Sequence, residues 1–317
     1  MIRFIAYRVL QAVPTLVGIT LVSFLLLHIV PGGPATVMLG DRATPQLIAQ
    51  INQSLGLNKP LYVQYWIWLV KLLHGNLGYA YSYHQTVSSL IAVNLPRTLA
   101  LVVTAIILSH LFAILIGVFQ AVRRDSAADH TLTVITYLLY SMPTFWLGMI
   151  VISIFAIGLN LLPAGGLSNP FATNPTFGDY LRHMILPAAV LVATTIPNWS
   201  RYVRSRMMET LVQDYIRTAH AKGLRNRTIL VRHALKNSLL PLITLAGMSL
   251  PALFSGALII EMIFNYPGMG LLFWNAAQAR DYPVLLGIVV MVGVLTILGN
   301  LLADIIYGVV DPRVKYE

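Results

Sequence analysis

Residues 201–241 read RYVRSRMMETLVQDYIRTAHAKGLRNRTILVRHALKNSLLP, the only long polar passage in the C-terminal half of the chain. Nine of the chain's Lys and Arg residues fall within it: Arg201, Arg204, Arg206, Arg217, Lys222, Arg225, Arg227, Arg232 and Lys236. The sequence on either side is uncharged or nearly so, over His183–Ser200 and Asn237–Ile260. A charged helical segment set between apolar runs of about 20 residues is the pattern of a polytopic helical membrane protein. The stretch itself has helical periodicity. Met207, Leu211, Tyr215 and Ala219 recur every four residues, flanked by Met208, Val212 and Ile216, and make one apolar stripe. Glu209, Gln213, Arg217 and His220 mark the opposite face. This predicts a helix over Met207–Lys222 ended by Gly223. A second helix follows through Ile229, Leu230, Ala234 and Leu235 to Pro241, capped by Asn226 or Thr228.

Working outward, 57% of the residues are hydrophobic and 10% charged, too apolar for a soluble chain of 317 residues. Alternating strands of the kind a membrane barrel needs are not visible. The first segment carries Arg3 and Arg8 and then an uncharged run, Val9–Val30, of about 22 residues, longer than a signal-peptide core. Pro31-Gly32-Gly33-Pro34 follows instead of a small-residue cleavage site, so the run reads as a retained first span. Leu61–Leu73 (LYVQYWIWLVKLL) is too short to span. Its Tyr62, Tyr65, Trp66 and Trp68 suit a membrane–water interface, as a helix lying on the bilayer, a surface for a partner, or both.

Further spans are predicted over Thr98–Val122, Thr131–Leu162 with Pro143 kinking it, His183–Ser200, Asn237–Ile260 and Pro283–Ala303. Pro163–Asp179 and Glu261–Tyr282 read as loops. Six spans put both termini on one side. That side then holds fifteen Lys and Arg: Arg3, Arg8, Arg123, Arg124, the nine above, Arg313 and Lys315. The other side has six, namely Arg42, Lys59, Lys71, Arg97, Arg182 and Arg280. The positive-inside rule therefore places residues 201–241 and both termini in the cytoplasm. The formal charge of +10 reads as a topology signal and not as a nucleic-acid footprint.

No GxxxxGK[ST], HExxH or GxSxG is present, so no catalytic residue and no nucleotide site is assigned. Cysteine is absent, which removes thiol chemistry, and no metal site is assigned to His220 and His233. Two acids carry open readings. Asp304 is a proton or ion site, or a helix-end residue facing protein or water. Glu261 either contacts substrate or braces the loop that follows it. Paired small and polar residues in the spans mark helix contacts or a pathway.

Several segments together carry a resemblance. They are Val30-Pro31-Gly32, Leu55–Pro60, His74–Gly78, Tyr140-Ser-Met-Pro143, Ile185-Leu-Pro187, Asp214–Gly223, Val231–Asn237, Leu240-Pro241, Glu261–Gly270, Arg280–Pro283 and Tyr307–Arg313. In this order and at these spacings the chain resembles the permease subunits of ABC importers, of the dipeptide/oligopeptide/nickel class, over nearly its whole length. The broad importer signature, Glu-Ala-Ala with a glycine four residues on and then Ile-x-Leu-Pro, is only partly met. Arg217-Thr218-Ala219 occupy the first three positions, Gly223 is in place, and the proline is delayed to Pro241.

The resemblance implies a type I importer permease, all-α with six transmembrane helices and cytoplasmic coupling helices. The expected organisation is a first span with an extracytoplasmic segment (1–96), a five-helix core (97–310) with the coupling loop at 201–241, and a tail (311–317). It implies that Asp214, Tyr215, Arg217, Thr218, Ala219, Lys222, Gly223, Leu224, Arg225 and Asn226 couple to an ATPase. Ser141, Met142, Pro143 and Phe145 are expected on the translocation pathway. Glu261, Pro267, Gly268 and Gly270 are expected to brace the outer loop. No cofactor binds this chain; ATP and Mg are used by one or two partner ATPase subunits. The other expected partners are a second, homologous permease, an extracytoplasmic binding protein and lipid, with no nucleic acid, in a bacterial or archaeal cytoplasmic membrane. The substrate implied is a peptide, with nickel or another chelated metal as the alternative. Arg201 and Arg204, beside span four, suit a role in fixing topology alone. Rival classes are an ion-coupled secondary transporter using Asp304 or Glu261, and a membrane scaffold without transport.

Overall fold

The computed structural model describes residues 2–29, 39, 44–236, 238–239 and 250–310. Helix dominates throughout. The apolar N-terminal run forms α1 (Ile2–Ile29), 28 residues with Pro14 inside. Helix α2 (Pro45–Leu55) starts with the Thr44 side chain accepting from the Leu47 amide. Helix α3 (Leu61–Leu73) has the bounds of the amphipathic segment. A two-residue hairpin, β1 (Tyr79–Ala80) against β2 (Gln85–Thr86), precedes the long α4 (Val87–Val122). Helices α5 (Ala127–Ser141) and α6 (Thr144–Val151, continued by π-wound turns over Ile152–Gly158) follow. Then come α7 (Phe177–Leu211), α8 (Asp214–Ala221) and α9 (Asn226–Thr228, continued over Ile229–Leu235 by π-wound turns). Helices α10 (Leu250–Ile263), α11 (Met269–Gln278) and α12 (Tyr282–Val310) complete the order.

By length and composition, three of the described helices can cross a membrane alone: α4, α7 and the Tyr282–Leu301 part of α12. The pair α5 and α6 adds a fourth if counted as one span, but it is bent by 106°. The kink expected at Pro143 is therefore a full break. Met142 is extended, as a residue preceding proline prefers, and Pro143 flanks a new helix. The span expected from Thr98 starts at Val87, with Pro96 and Arg97 inside the helix. The one expected over His183–Ser200 runs from Phe177 to Leu211 and keeps Pro187 and Pro197 inside. Glu261–Tyr282 is not a simple loop, because α10 reaches Ile263 and α11 lies within it. Much of the expected span Asn237–Ile260 lies outside the described residues, as do Val30–Gly32, Pro241 and the tail.

The chain divides into two compact units. The first joins the residues up to Arg97 with Pro267–Leu301, and the second holds Thr98–Tyr266. The core of the first holds Val87, Leu90 and Ile91 of α4 with Met269, Leu272, Val284 and Ile288 of α11 and α12. There α3 docks on α1: Tyr65 meets Phe24 edge-on and Trp68 meets it at a tilt, and Gln64 bonds His28 at 2.9 Å. The four aromatics expected at the interface thus divide. Tyr62 and Trp66 are exposed, whereas Tyr65 and Trp68 pack inward. Asp281 holds the hairpin turn by accepting from the Ser82 amide at 2.8 Å. Burial and the Asp281 carboxylate push the Tyr81 and Tyr83 hydroxyls further above the usual phenol range.

In the second unit, Leu101 and Ala105 of α4, Leu147 of α6, Leu186, Val190 and Leu191 of α7, and Ile260 and Phe264 form the main core. Helices α4 and α7 approach so closely that a Cβ on Gly117 would lie 2.6 Å from the Ser200 carbonyl oxygen. A second apolar cluster, with Val203, Met207, Ile216 and Ile229, lies under the polar stretch and positions it.

Candidate functional site

The polar stretch does not begin with a helix of its own. Helix α7 carries on through Arg201 and Arg204 to Leu211 without a break. At Gln213 the backbone turns extended (ψ 151°) and α8 starts at Asp214. The single helix expected over Met207–Lys222 is therefore two, and the break resets the apolar phase. Met207, Ile216 and Ala219 are buried, while Tyr215 and Val212 of the predicted stripe are exposed. Burial of Met207 and Ile216 against Val203, Ala121, Ile229 and Ala234 anchors α8, at roughly 1.5–3 kcal/mol per large side chain.

At its other end α8 closes in a Schellman motif. The Gly223 amide donates to His220 O (2.9 Å) and the Leu224 amide to Ala219 O (3.3 Å). Gly223 sits at φ 72°, the left-handed region that glycine enters without strain. Arg225, extended, then stands at the start of α9, and its carbonyl accepts from Thr228 and Ile229. Neither Asn226 nor Thr228 caps this helix; Asn226 is its first residue and Arg225 holds the capping position without a side-chain bond. Ser238 returns the segment to α7, its hydroxyl 3.0 Å from that of Thr210.

Of the ten residues expected to couple, nine are exposed: Asp214, Tyr215, Arg217, Thr218, Lys222, Gly223, Leu224, Arg225 and Asn226. Ala219 is buried and belongs to the supporting core. Arg217 and Asp214 pair at 3.2 Å, but both are largely in solvent and the pair adds little stability. The result is a rigid corner, basic and exposed on its outer side, packed on an apolar base.

The other expected positions fall elsewhere. Ser141, Met142 and Pro143 form the break between α5 and α6, with Phe145 exposed just beyond it. In the second unit Glu261 is fully buried, and its Oε1 accepts from the Thr98 hydroxyl at 2.6 Å. Its carbonyl accepts from the Tyr266 amide. In the first unit Pro267 O accepts from Arg97, Gly268 precedes α11 and Gly270 is buried in it. Asp304 lies in α12.

Asp129, in the first turn of α5, was not among the expected residues. Its carboxylate is buried and meets Arg204 through two bonds, Nε to Oδ1 (3.1 Å) and Nη2 to Oδ2 (2.7 Å). Gln120 donates to Oδ1 and the Asp125 amide to Oδ2. Arg204 is therefore not there for topology alone. The sequence held a signal: Ser126-Ala-Ala-Asp129 has the spacing of a helix cap, and the Asp129 amide does donate to Ser126 Oγ.

Comparison with known proteins gives the family. Residues 113–316 match the family model "Binding-protein-dependent transport system inner membrane component", and residues 1–102 match the model of the N-terminal part of such membrane components. The oligopeptide transport system permease protein AppB of Bacillus subtilis is 39% identical over 317 residues, all of both chains. The dipeptide transport system permease protein DppB of Escherichia coli K12 is 38% identical over 338 aligned positions, again covering both chains fully. A chain from inward-facing structures of the MetNI methionine ABC transporter is 17% identical, with a TM-score of 0.58 over 70% of this chain and 96% of that one, a likeness of fold. This chain therefore belongs to the inner-membrane permease components of binding-protein-dependent ABC transport systems.

Proposed function

We propose that this chain is one half of the translocation pathway of an ATP-driven importer of di- and oligopeptides. The observation that carries the substrate is full-length similarity to permeases named for oligopeptide and dipeptide transport. The expected assembly has a second, homologous permease completing the pathway, ATPase subunits consuming Mg-ATP on the cytoplasmic side, and a binding protein delivering peptide from outside. Six spans with both termini in the cytoplasm accord with the fifteen-to-six division of basic residues.

Within that assembly, the corner at Gly223 is the surface on which the ATPase docks. Its exposed face, from Asp214 to Asn226, sits on a core shared with α7, so force applied there reaches a spanning helix without passing through a flexible linker. Ser141, Met142, Pro143 and Phe145 lie at the break in the α5–α6 span, where irregular backbone in a membrane suits a water-filled path. Glu261 serves as a brace, since its side chain has no exposed surface for a substrate.

The test is reconstitution of this chain with its cognate ATPases, binding protein and second permease. Peptide uptake is expected only with all components present. Full uptake without the second permease sinks the half-pathway reading, unless two copies of this chain are found paired. A binding protein that ignores peptides in calorimetry but binds nickel chelates would reassign the substrate.

A further inference from the structure

One stripe of α5 carries polar and cationic contacts to α4 and α7, beside the apolar packing of Leu139 on the core; its Tyr137 and Tyr140 are half-exposed. Asp129 bonds Arg204, Thr133 accepts from Gln120 (3.0 Å), and Tyr137 and Tyr140 lie under the Arg201 guanidinium at 5.3 and 4.8 Å. Positions 129, 133, 137 and 140 follow one helical stripe. Arg201 and Arg204 stand one turn apart on α7, and Gln120 closes α4.

Such a seam differs from an apolar one. Leucines sliding past one another exchange equivalent contacts, whereas a two-pronged guanidinium–carboxylate pair has one register. Displacing it would leave a carboxylate with 1% side-chain exposure short of partners. All four carboxylate lone-pair positions of Asp129 are used, by Arg204 twice, Gln120 and the Asp125 amide. Position matters as well. Arg204 lies two turns before the end of α7, on the helix stretch whose Val203 and Met207 support α8. Asp129 begins α5, a rod of 15 residues, about 22 Å long, that ends at the Met142–Pro143 break.

We infer that the Asp129–Arg204 pair is the joint that makes α5 move as one body with α7, carrying displacement at the Gly223 corner to the break at Met142–Pro143. Both are positioning residues, and neither need touch peptide or ATPase. The inference rests on the proposed docking at Gly223. It does not depend on what is transported.

The experiment uses the whole reconstituted transporter. The chain contains no cysteine, so spin labels can be placed at Leu138→Cys on α5 and Val212→Cys at the end of α7, both exposed. With the native pair, the distance between labels should be the same with and without Mg-ATP. In Asp129→Asn/Arg204→Gln, which removes both charges together, it should shift or broaden on adding Mg-ATP, and peptide taken up per ATP hydrolysed should fall about tenfold. Should the double variant fail to assemble, Arg204→Lys, which keeps the charge and loses the fork, is expected to show the same two effects more weakly. A distance that already changes in the parent overturns the joint, and so does an unchanged distance in the variants. Variants that shift the distance yet transport at the parental ratio overturn it equally. A parent that hydrolyses ATP but takes up no peptide refutes the peptide reading instead, and the distances alone then decide the joint.

Discussion

Two residues set the terms at the smallest scale. Gly223 has open space around its missing Cβ, so a substitution there meets no clash and costs only the left-handed backbone, about 1–2 kcal/mol for a β-branched residue. Gly223→Val should therefore reach the membrane at normal levels while the corner it forms is displaced. Membrane level and ATPase co-purification scored beside ATP turnover and uptake will separate these effects. Uptake and stimulated turnover both unchanged would remove the corner from the mechanism. Glu261 behaves differently, because it is buried and hydrogen-bonded to a buried Thr98. Glu261→Ala should lower stability by roughly 1–3 kcal/mol, read as a lower melting temperature in detergent, because it leaves buried polar groups without their partner. Unaltered melting with impaired peptide binding would instead favour a substrate contact.

Among elements, the α4–α7 crossing is a point of close backbone approach in the second unit. A Cβ at Gly117 would meet both the Ser200 carbonyl and, at 2.7 Å, the Val203 side chain. Backbone cannot yield as a flexible side chain does. Gly117→Val should cost about 1–3 kcal/mol by overpacking and lower the thermal midpoint; a wild-type midpoint would mean that the helices part easily there. Element boundaries were legible where a local signal punctuates them. The bounds of α3 follow from Pro60 and the aromatic run, and the end of α8 from a glycine after a helical stretch. The break at Val212–Gln213 carries no glycine or proline, and an apolar repeat of four continued straight through it. Packing of Ile216 and Ala219 on the base overrode that repeat and turned Tyr215 out.

For the whole molecule, the asymmetry of basic residues makes a prediction independent of any contact. Single cysteines introduced in this cysteine-free chain at Gly78 and at the exposed Asn174 should react with an impermeant thiol reagent in intact cells, whereas one at Gly223 should react only after permeabilisation. The reverse pattern would invert the topology. Pro267–Leu301 packs with the N-terminal residues through Met269, Leu272, Val284 and Ile288, a pairing between segments far apart in sequence.

What the sequence alone determined was class and family: apolar runs of spanning length, the placement of charge, and ordered short motifs are local quantities that survive without coordinates. The residues of the Gly223 corner were also readable, because a helix end marked by glycine is a local event. Tertiary structure decided which members of a stripe face inward, how far the chain bends at Pro143, and that Arg204 and Asp129 meet. That last contact joins residues 75 positions apart, and a carboxylate becomes buried only through the helices that converge on it. Burial and partnership are properties of the packed fold, and no periodicity along the chain encodes them.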